Sequence, residues 1–420
     1  VWPWVFEWPR GRDRTSFILR QRMDDLSPDY DALPIGEARA RIEPMSSHKR
    51  GRWAISLAFL GNGAAIASWV SRIPEIRHEH GLTEGQLGLA LLGMAVGSLL
   101  GFPVAAAMCA RIGNRSSTVL LGVLLCLVLG AIPFAGSLSG LVAILACFGF
   151  AYGGMDVAMN ANGVDVEHRY GRSIMSSLHG MYSLGGLLGS SAGWLIAKLG
   201  IAPTTHLIGA SLFLATMMAL LYPAMWHENP TGHANHPTFA MPSKSLWAIG
   251  AIVTCAFLCE GAMGDWSGVY LRDGLKTSAE FAVSGFMVYS LMMTVARFSG
   301  DALMTRWGAS RVLRTAGTIS GTGFAIALFS GHPILALIGF GCVGLGMSTV
   351  APIGFGAAGR SRQMAPGTAI AAVATMGYSG FLVGPPLIGF LAEWITLRWA
   401  LGVVAILSLV IAGLAKNAEG

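Results

Sequence analysis

Between Gly153 and Gly189 the chain reads GGMDVAMNANGVDVEHRYGRSIMSSLHGMYSLGGLLG, an apolar, glycine-rich stretch that carries Asp156, Asn160, Asn162 and His179. Lipid solvates such groups badly, so they belong against protein or a water-filled cavity. Asp156 and Asn160 are four apart and share one helix face. Histidine titrates near neutral pH, so Asp156 with His179 forms either a proton relay or a hydrogen-bonded staple across a helix hairpin. A second group lies in CEGAMGDWSGVYL: Glu260, then Asp265 and Trp266. Glu260 falls about thirteen residues into its helix, near mid-membrane at about 1.5 Å per residue. A carboxyl group there suits proton exchange or substrate binding, or a structural pairing with an arginine or helix end. Gly261 and Gly264 loosen the helix around it. An acid beside an aromatic, as at Asp265–Trp266, suits a sugar or cation face. Trp266 reads equally well as an interface anchor, as do Trp53, Trp194, Trp226 and Trp394. Asn62, midway along the first helix, offers a donor and an acceptor to a hydroxylated solute, or an interhelical bond. Tyr182, Tyr289 and Tyr378 are further candidates for the same cavity.

The elements that must position these groups are transmembrane helices. Of 420 residues, 53% are hydrophobic and 12% charged, with mean hydropathy +0.58. A soluble domain is about 25% charged, so composition points to a polytopic, all-α membrane protein. The net charge of +6 comes from basic residues in short turns, a sign of membrane orientation rather than of nucleic-acid binding. The cysteines at 109, 126, 147, 255, 259 and 342 all lie in or beside apolar runs and read as small core residues. Cys255 and Cys259 share a face but lack further partners for zinc. His227, His233 and His236 read as part of a solvated linker rather than a metal site.

Residues 1–44 are charged and proline-broken, without signal-peptide organisation. They are expected to be a disordered cytoplasmic tail or an over-extended gene start, which mass spectrometry of the native N-terminus distinguishes. Apolar runs long enough to span a bilayer fall at 53–72, 84–109, 116–136, 139–164, 173–199, 203–225, 246–271, 281–304, 311–331, 333–358, 367–394 and 397–415. That predicts twelve helices: an N-terminal six-helix bundle at 50–225, a cytoplasmic linker at 226–245 and a C-terminal bundle at 246–415. Basic turns at Arg111/Arg115, Arg169/Arg172, Arg306/Arg311/Arg314 and Arg360/Arg362 fall on the side of Lys49, Arg50 and Arg52. The positive-inside rule puts both termini in the cytoplasm. Arg72, Arg77, Arg272 and Lys276 are exceptions, mixed with acids. The halves repeat at an offset near 195: Arg111-Ile-Gly113 with Arg306-Trp-Gly308, Trp69 roughly with Trp266, and Met181-Tyr-Ser loosely with Met376-Gly-Tyr-Ser.

Ala110–Arg115 (ARIGNR) resembles the cytoplasmic motif Gly-x-x-x-Asp-Arg-x-Gly-Arg-Lys of the major facilitator superfamily. Arg111, Gly113 and Arg115 match; Ala106 and Ala110 replace the Gly and Asp, which removes the motif's Asp-based gating contact. In the other half, ARFSGDALMTRWG places Arg297 and Asp301 on one helix face, with Arg306 beyond, near the cytoplasmic end. A structural or gating role is the expectation for them. Asn62, GMDVAMNANGVDVE, SSLHGMYSLGGLLG, CEGAMGDWSGVYL and RFSGDAL are similar to the MosC-like branch of that superfamily, near the fucose-permease group. The resemblance spans about residues 50–415. It implies two parallel six-helix halves and a monomeric secondary transporter of a small polar solute in an inner membrane.

No phosphate loop, metal cluster or extramembrane serine–histidine–acid set suggests an enzyme or a cofactor. The resemblance, with carboxyl groups inside the membrane and no nucleotide motif, implies as the expected function proton-coupled uptake of a sugar- or cyclitol-like solute by alternating access, with protons and the lipid bilayer as partners. Proton-coupled export of amphipathic compounds is one alternative, and a non-transporting membrane sensor another.

Overall fold

The computed structural model describes residues 45–171, 174–226, 241–361 and 363–419. The segment 1–44, most of the 226–245 linker with its three histidines, Arg172 and Arg362 lie outside the described residues. His48–Gly420 forms one compact unit, all-helical among the described residues. In the first half, α1 (Met45–Val70) bends through Ser71 and Arg72 into α2 (Ile73–Glu79). There follow α3 (Glu84–Ile112), α4 (Asn114–Ala131), α5 (Leu138–Tyr170), α6 (Met175–Lys198) and α7 (Pro203–Leu221). The second half comprises α8 (Trp247–Val269), α9 (Ala279–Trp307), α10 (Ala309–Ser330), α11 (Pro333–Met347), α12 (Val350–Gly359), α13 (Pro366–Ile395), α14 (Leu397–Ala400) and α15 (Gly402–Leu414).

Among the described residues, 11 helical segments are long and apolar enough to cross a membrane. The remaining expected span is α6, 24 residues long and hence about 36 Å at 1.5 Å per residue. Its serines, histidine and glycines lower its hydropathy, because this helix lies between the two halves rather than against lipid alone.

The repeat is written in the turns. Gly113 (φ 82, ψ 158) and Gly308 (φ 77, ψ 158) end α3 and α9, 195 positions apart, with the same backbone. Gly136 and Gly331 (φ 63 and 61) recur at the same offset, as do Gly81 and Lys276 (φ 60 and 56). Thr83 caps α3 and Ser278 caps α9, each accepting from the backbone three residues on; such caps satisfy donors that the first turn leaves open. Trp69 and Trp266, both fully buried, are 197 apart. The connection that follows is two residues shorter in the second half, which closes with a π-turn at Tyr270–Gly274 where the first half has α2. A second departure is the break between α11 and α12 at Ser348–Thr349. Pro352 lacks an N–H and its ring collides with the carbonyl four residues earlier, so the single helix expected at 333–358 is interrupted.

Within each half, backbones meet at glycines. A Cβ on Gly149 would stand 1.9 Å from the Met94 carbonyl oxygen, and one on Gly344, 195 later, 2.4 Å from that of Tyr289. Small residues permit this approach where lipid supplies no hydrophobic drive. The halves meet along two seams, α3 against α13 and α6 against α9.

Candidate functional site

The seams carry the polar groups at mid-depth. On α5, Asp156 accepts from Asn160 Nδ2 (3.1 Å), four residues on. From the other half, the Tyr378 hydroxyl on α13 donates to Asp156 Oδ2 (3.4 Å). Tyr152 of α5 and Tyr182 of α6 join hydroxyl to hydroxyl at 2.6 Å. On the second seam, Arg297 of α9 donates to the Ser183 hydroxyl of α6. Glu260 of α8 lies in the field of Arg297, and Tyr182 lies in the fields of Asp156, Arg297 and Glu260 together. Asp156, Asn160, Tyr152, Tyr182, Ser183, Arg297 and Tyr378 thus form a polar patch from both halves, with Glu260 near it, its Oε1 buried without a hydrogen-bond partner. Phe102 (rings 4.7 Å apart) and Phe257 (5.6 Å) pack on Tyr378, and Phe381 packs on Phe257 (4.8 Å). The patch offers a carboxylate, phenols and a guanidinium beside an aromatic wall. Hydroxyl-rich rings require both surfaces, polar edge and apolar face.

Other expected site residues stand elsewhere. His179 is exposed within the bundle, in the field of Arg297, with its ring on Phe59 (5.4 Å). Among the described residues no hydrogen bond joins it to Asp156, so neither the direct relay nor the staple is formed in this conformation. Asn62 is 0% exposed and both amide atoms lack partners. It shares a face with Ile55, Ala58, Ala65 and Trp69, all fully buried, so it points into the first half and not into the inter-half space. Trp266 is equally buried, with its indole N–H unpartnered; here it is neither a solute platform nor an interface anchor. Trp53 and Trp394 are exposed at 66% and 85%, as anchors require. Tyr289 is buried, its hydroxyl toward Met293 Sδ at 3.7 Å. Asp265 is half-buried, and no hydrogen bond or ion pair holds it among the described residues.

The residues near the basic turns separate from this patch. Gly113 makes the left-handed turn after α3. Arg115 lies over the Tyr222 ring at 3.9 Å, and Arg111 and Arg306 are exposed. The Asp301 side chain lies outside the described residues. Arg297 does not sit within a turn of the helix end as expected: α9 runs on to Trp307, about 15 Å farther at 1.5 Å per residue, which places Arg297 in the central patch. Sequence reasoning missed Tyr152 and Ser183, whose only signal was a hydroxyl on a helix already carrying a charge. It also missed the pairing of the exceptional charges on the face opposite the basic turns. There Arg77 bridges Asp273 of the other half and Glu84 of its own (2.7 Å). Fully buried Arg72 joins Glu75 (2.5 Å), His206 Nδ1 (2.9 Å) and the Ile201 carbonyl (3.2 Å). The six cysteines are free, and no group of three potential metal ligands occurs among the described residues.

Two repeated six-helix halves that meet over a polar patch at mid-depth define a membrane transporter architecture. Residues 53–365, with a second overlapping match over 275–416, fit the model of the Major Facilitator Superfamily, and the chain belongs to that superfamily. It is 34% identical over 360 residues to an uncharacterized MFS-type transporter of Yersinia pestis, covering 86% of this chain and 94% of that one. It is 28% identical over 363 residues to the membrane protein MosC of Rhizobium meliloti (86% and 88% covered). Among solved structures, a point mutant of the nucleoside transporter NupG superposes with TM-score 0.70 at 12% identity (88% and 99% covered). A bacterial homologue of the lysosomal transporter Spinster, inward-facing and occupied, gives 0.67 at 14% (90% and 97% covered).

Proposed function

We propose that this chain is a secondary active transporter that takes up a small hydroxylated solute, sugar- or cyclitol-like, together with protons. The observation that carries the reading is the mid-depth patch, with Glu260 near it, in which Arg297 and Tyr378 of one half meet Ser183, Asp156 and Tyr182 of the other. A solute bound there touches both halves and senses their relative position. Glu260 is the proposed proton carrier, with Asp156 second. A proton on it couples to transport only because the two conformations hold it with different affinity. Asn160, Tyr182 and Tyr378 are the proposed solute contacts. His179 shares the cavity as a second titratable group, while Asn62, Asp265, Trp266 and Tyr289 join only if the helices rearrange in another state. Arg111, Gly113, Arg115 and Arg306 are proposed to shape the gate at the basic face, with Asp301 beside them. The basic turns support a reading in which that face and both termini lie on the cytoplasmic side of an inner membrane, with the monomer proposed as the working unit.

Thermal stabilisation of the purified protein by a panel of cyclitols, deoxy sugars, other polyols and hydrophobic cations identifies the solute, since a ligand that binds only the folded state raises its apparent stability. Flux in proteoliposomes then tests coupling. Glu260→Gln is expected to abolish proton-driven accumulation and to retain solute exchange; undiminished accumulation refutes the carrier role. The rings of Phe102, Phe257 and Phe381 around Tyr378 favour a second reading, export of amphipathic compounds, which stabilisation by hydrophobic cations alone supports.

A further inference from the structure

Polar bonds cross between the halves at more than one depth. Arg297 to Ser183 and Tyr378 to Asp156 lie at mid-depth. Others lie at the face opposite the basic turns, here termed the far face. There, the carboxylate of Glu393, from the last turn of α13, accepts from the Thr83 hydroxyl (2.6 Å) and from the Gly85 backbone N–H (3.0 Å). Thr83 is the N-cap of α3 and Gly85 lies in its first turn. The second half therefore supplies an acid to the N-terminus of a helix in the first, where open N–H groups and the helix dipole favour negative charge. Beside it, Asp273 accepts from Arg77, which is held by Glu84 on its other arm.

The repeat does not copy this clasp. Lys198 stands 195 positions before Glu393, in the last turn of α6, but it lies over the Trp194 ring of its own helix (5.0 Å). Close backbone packing lies beneath the Glu393 clasp. A Cβ on Gly88 would stand 2.9 Å from the Pro385 carbonyl oxygen, and one on Gly389 2.6 Å from that of Glu84. An apolar seam this tight either stays shut or parts along its whole upper length. Above it Glu393 is exposed, and a cavity of about 660 Å³ opens over Arg77, Glu84, Asp273 and Lys276. Charges there exchange partners with water readily.

We infer that Glu393 and Asp273 are positioning residues of the transport cycle: from the second half they grip the α3 N-terminus and Arg77, hold the far face closed, and must release on each turnover. The grip combines a strong local geometry with a low barrier to release, which a gate that cycles requires and a static staple does not.

The test measures the gate directly and needs no solute, so its outcome is independent of the proposed substrate and coupling. In full-length protein with the six native cysteines replaced, nitroxides are placed by Glu79→Cys and Ile395→Cys, both exposed positions at the far face. Distances between them are read by double electron–electron resonance in lipid nanodiscs. The parent is expected to give mainly the short, closed distance. Glu393→Ala is expected to raise the ratio of open to closed about fivefold to tenfold, the scale of a lost helix cap. Glu393→Gln, which still accepts hydrogen bonds but carries no charge, falls between. Asp273→Asn shifts the distribution in the same direction, and so does high salt acting on the parent. If Glu393→Ala does not yield folded protein, Glu393→Gln and Asp273→Asn decide the question alone. A distance distribution unchanged by both of these overturns the inference.

Discussion

The two seams between the halves are related by the same shift of 195 positions, yet they are built from different chemistry. Where α3 crosses α13, Phe102 packs on Tyr378 with rings 4.7 Å apart. Where α9 crosses α6, the corresponding residues are Arg297 and Ser183, joined by a hydrogen bond. One seam is an aromatic wall and the other a charged hinge. The same asymmetry runs through the polar patch. The positions 195 after Asp156, Asn160 and His179 are Ala351, Phe355 and Ala374. Glu260, matched in the Trp69–Trp266 register of 197, corresponds to Gly63, where a Cβ would stand 2.1 Å from the Tyr182 carbonyl oxygen. A side chain cannot exist on that side of the repeat. Backbone symmetry fixes two seams that can rock together, and the unequal filling of those seams leaves room for a site with one polar edge and one apolar face.

The comparison is most readily broken at Arg297. Arg297→Met makes the second seam resemble the first: it removes the hydrogen bond to Ser183 and the positive charge whose field reaches Glu260. A hydrogen bond to a charged group is worth about 1.5–3 kcal/mol, so solute flux in proteoliposomes is expected to fall about tenfold or more. Flux within about threefold of the parent contradicts the assignment of Arg297 to the site. Next comes the packing common to both halves. Gly149→Ala forces a methyl group against the Met94 carbonyl, and overpacking of this kind costs about 1–3 kcal/mol. Gly344→Ala, with 0.5 Å more room, is expected to cost less, and the two melting temperatures measured side by side establish whether the halves are equally tight.

A smaller effect concerns Gly81 and Lys276, equivalent positions at φ 60 and 56. Gly81→Lys copies the second half into the first. It is expected to cost about 1–2 kcal/mol, the strain of a side chain in the left-handed region. Thermal denaturation resolves a shift of that size, and a larger loss indicates that this turn is tighter than its partner. The smallest effect is expected from Tyr378→Phe. It removes the hydroxyl that donates to Asp156 across 3.4 Å while keeping the ring on Phe102. A long bond of this type is worth about 0.5–1.5 kcal/mol, so stability is expected to fall by no more than that; thermal denaturation measures it.

Much of the fold is legible in the residues themselves. The apolar runs are dictated by the bilayer, and the offset near 195 follows from turns at Arg111–Gly113 and Arg306–Gly308 that are read directly from the chain. The presence of Asp156, Asn160, His179 and Glu260 in apolar helices is equally visible, because such groups have no place facing lipid. Which way they face was beyond the sequence. Asn62 and Trp266 look like cavity residues, yet they lie on helix faces whose every neighbour is buried, and only the rotation of α1 and α8 against their own halves settles that. Arg297 looked peripheral because the end of α9 was set too early; the helix continues until Gly308 stops it. The far-face clasps escaped altogether. Arg77 and Asp273 are 196 residues apart in sequence, as are the ends of α3 and α13 by a still longer interval, and a charge in a turn carries no record of its partner. Composition and periodicity determine where a chain of this kind enters and leaves the membrane, since those depend on local transfer free energies. Tertiary packing alone decides which polar groups meet, because that depends on how two repeated halves are rotated and docked against each other.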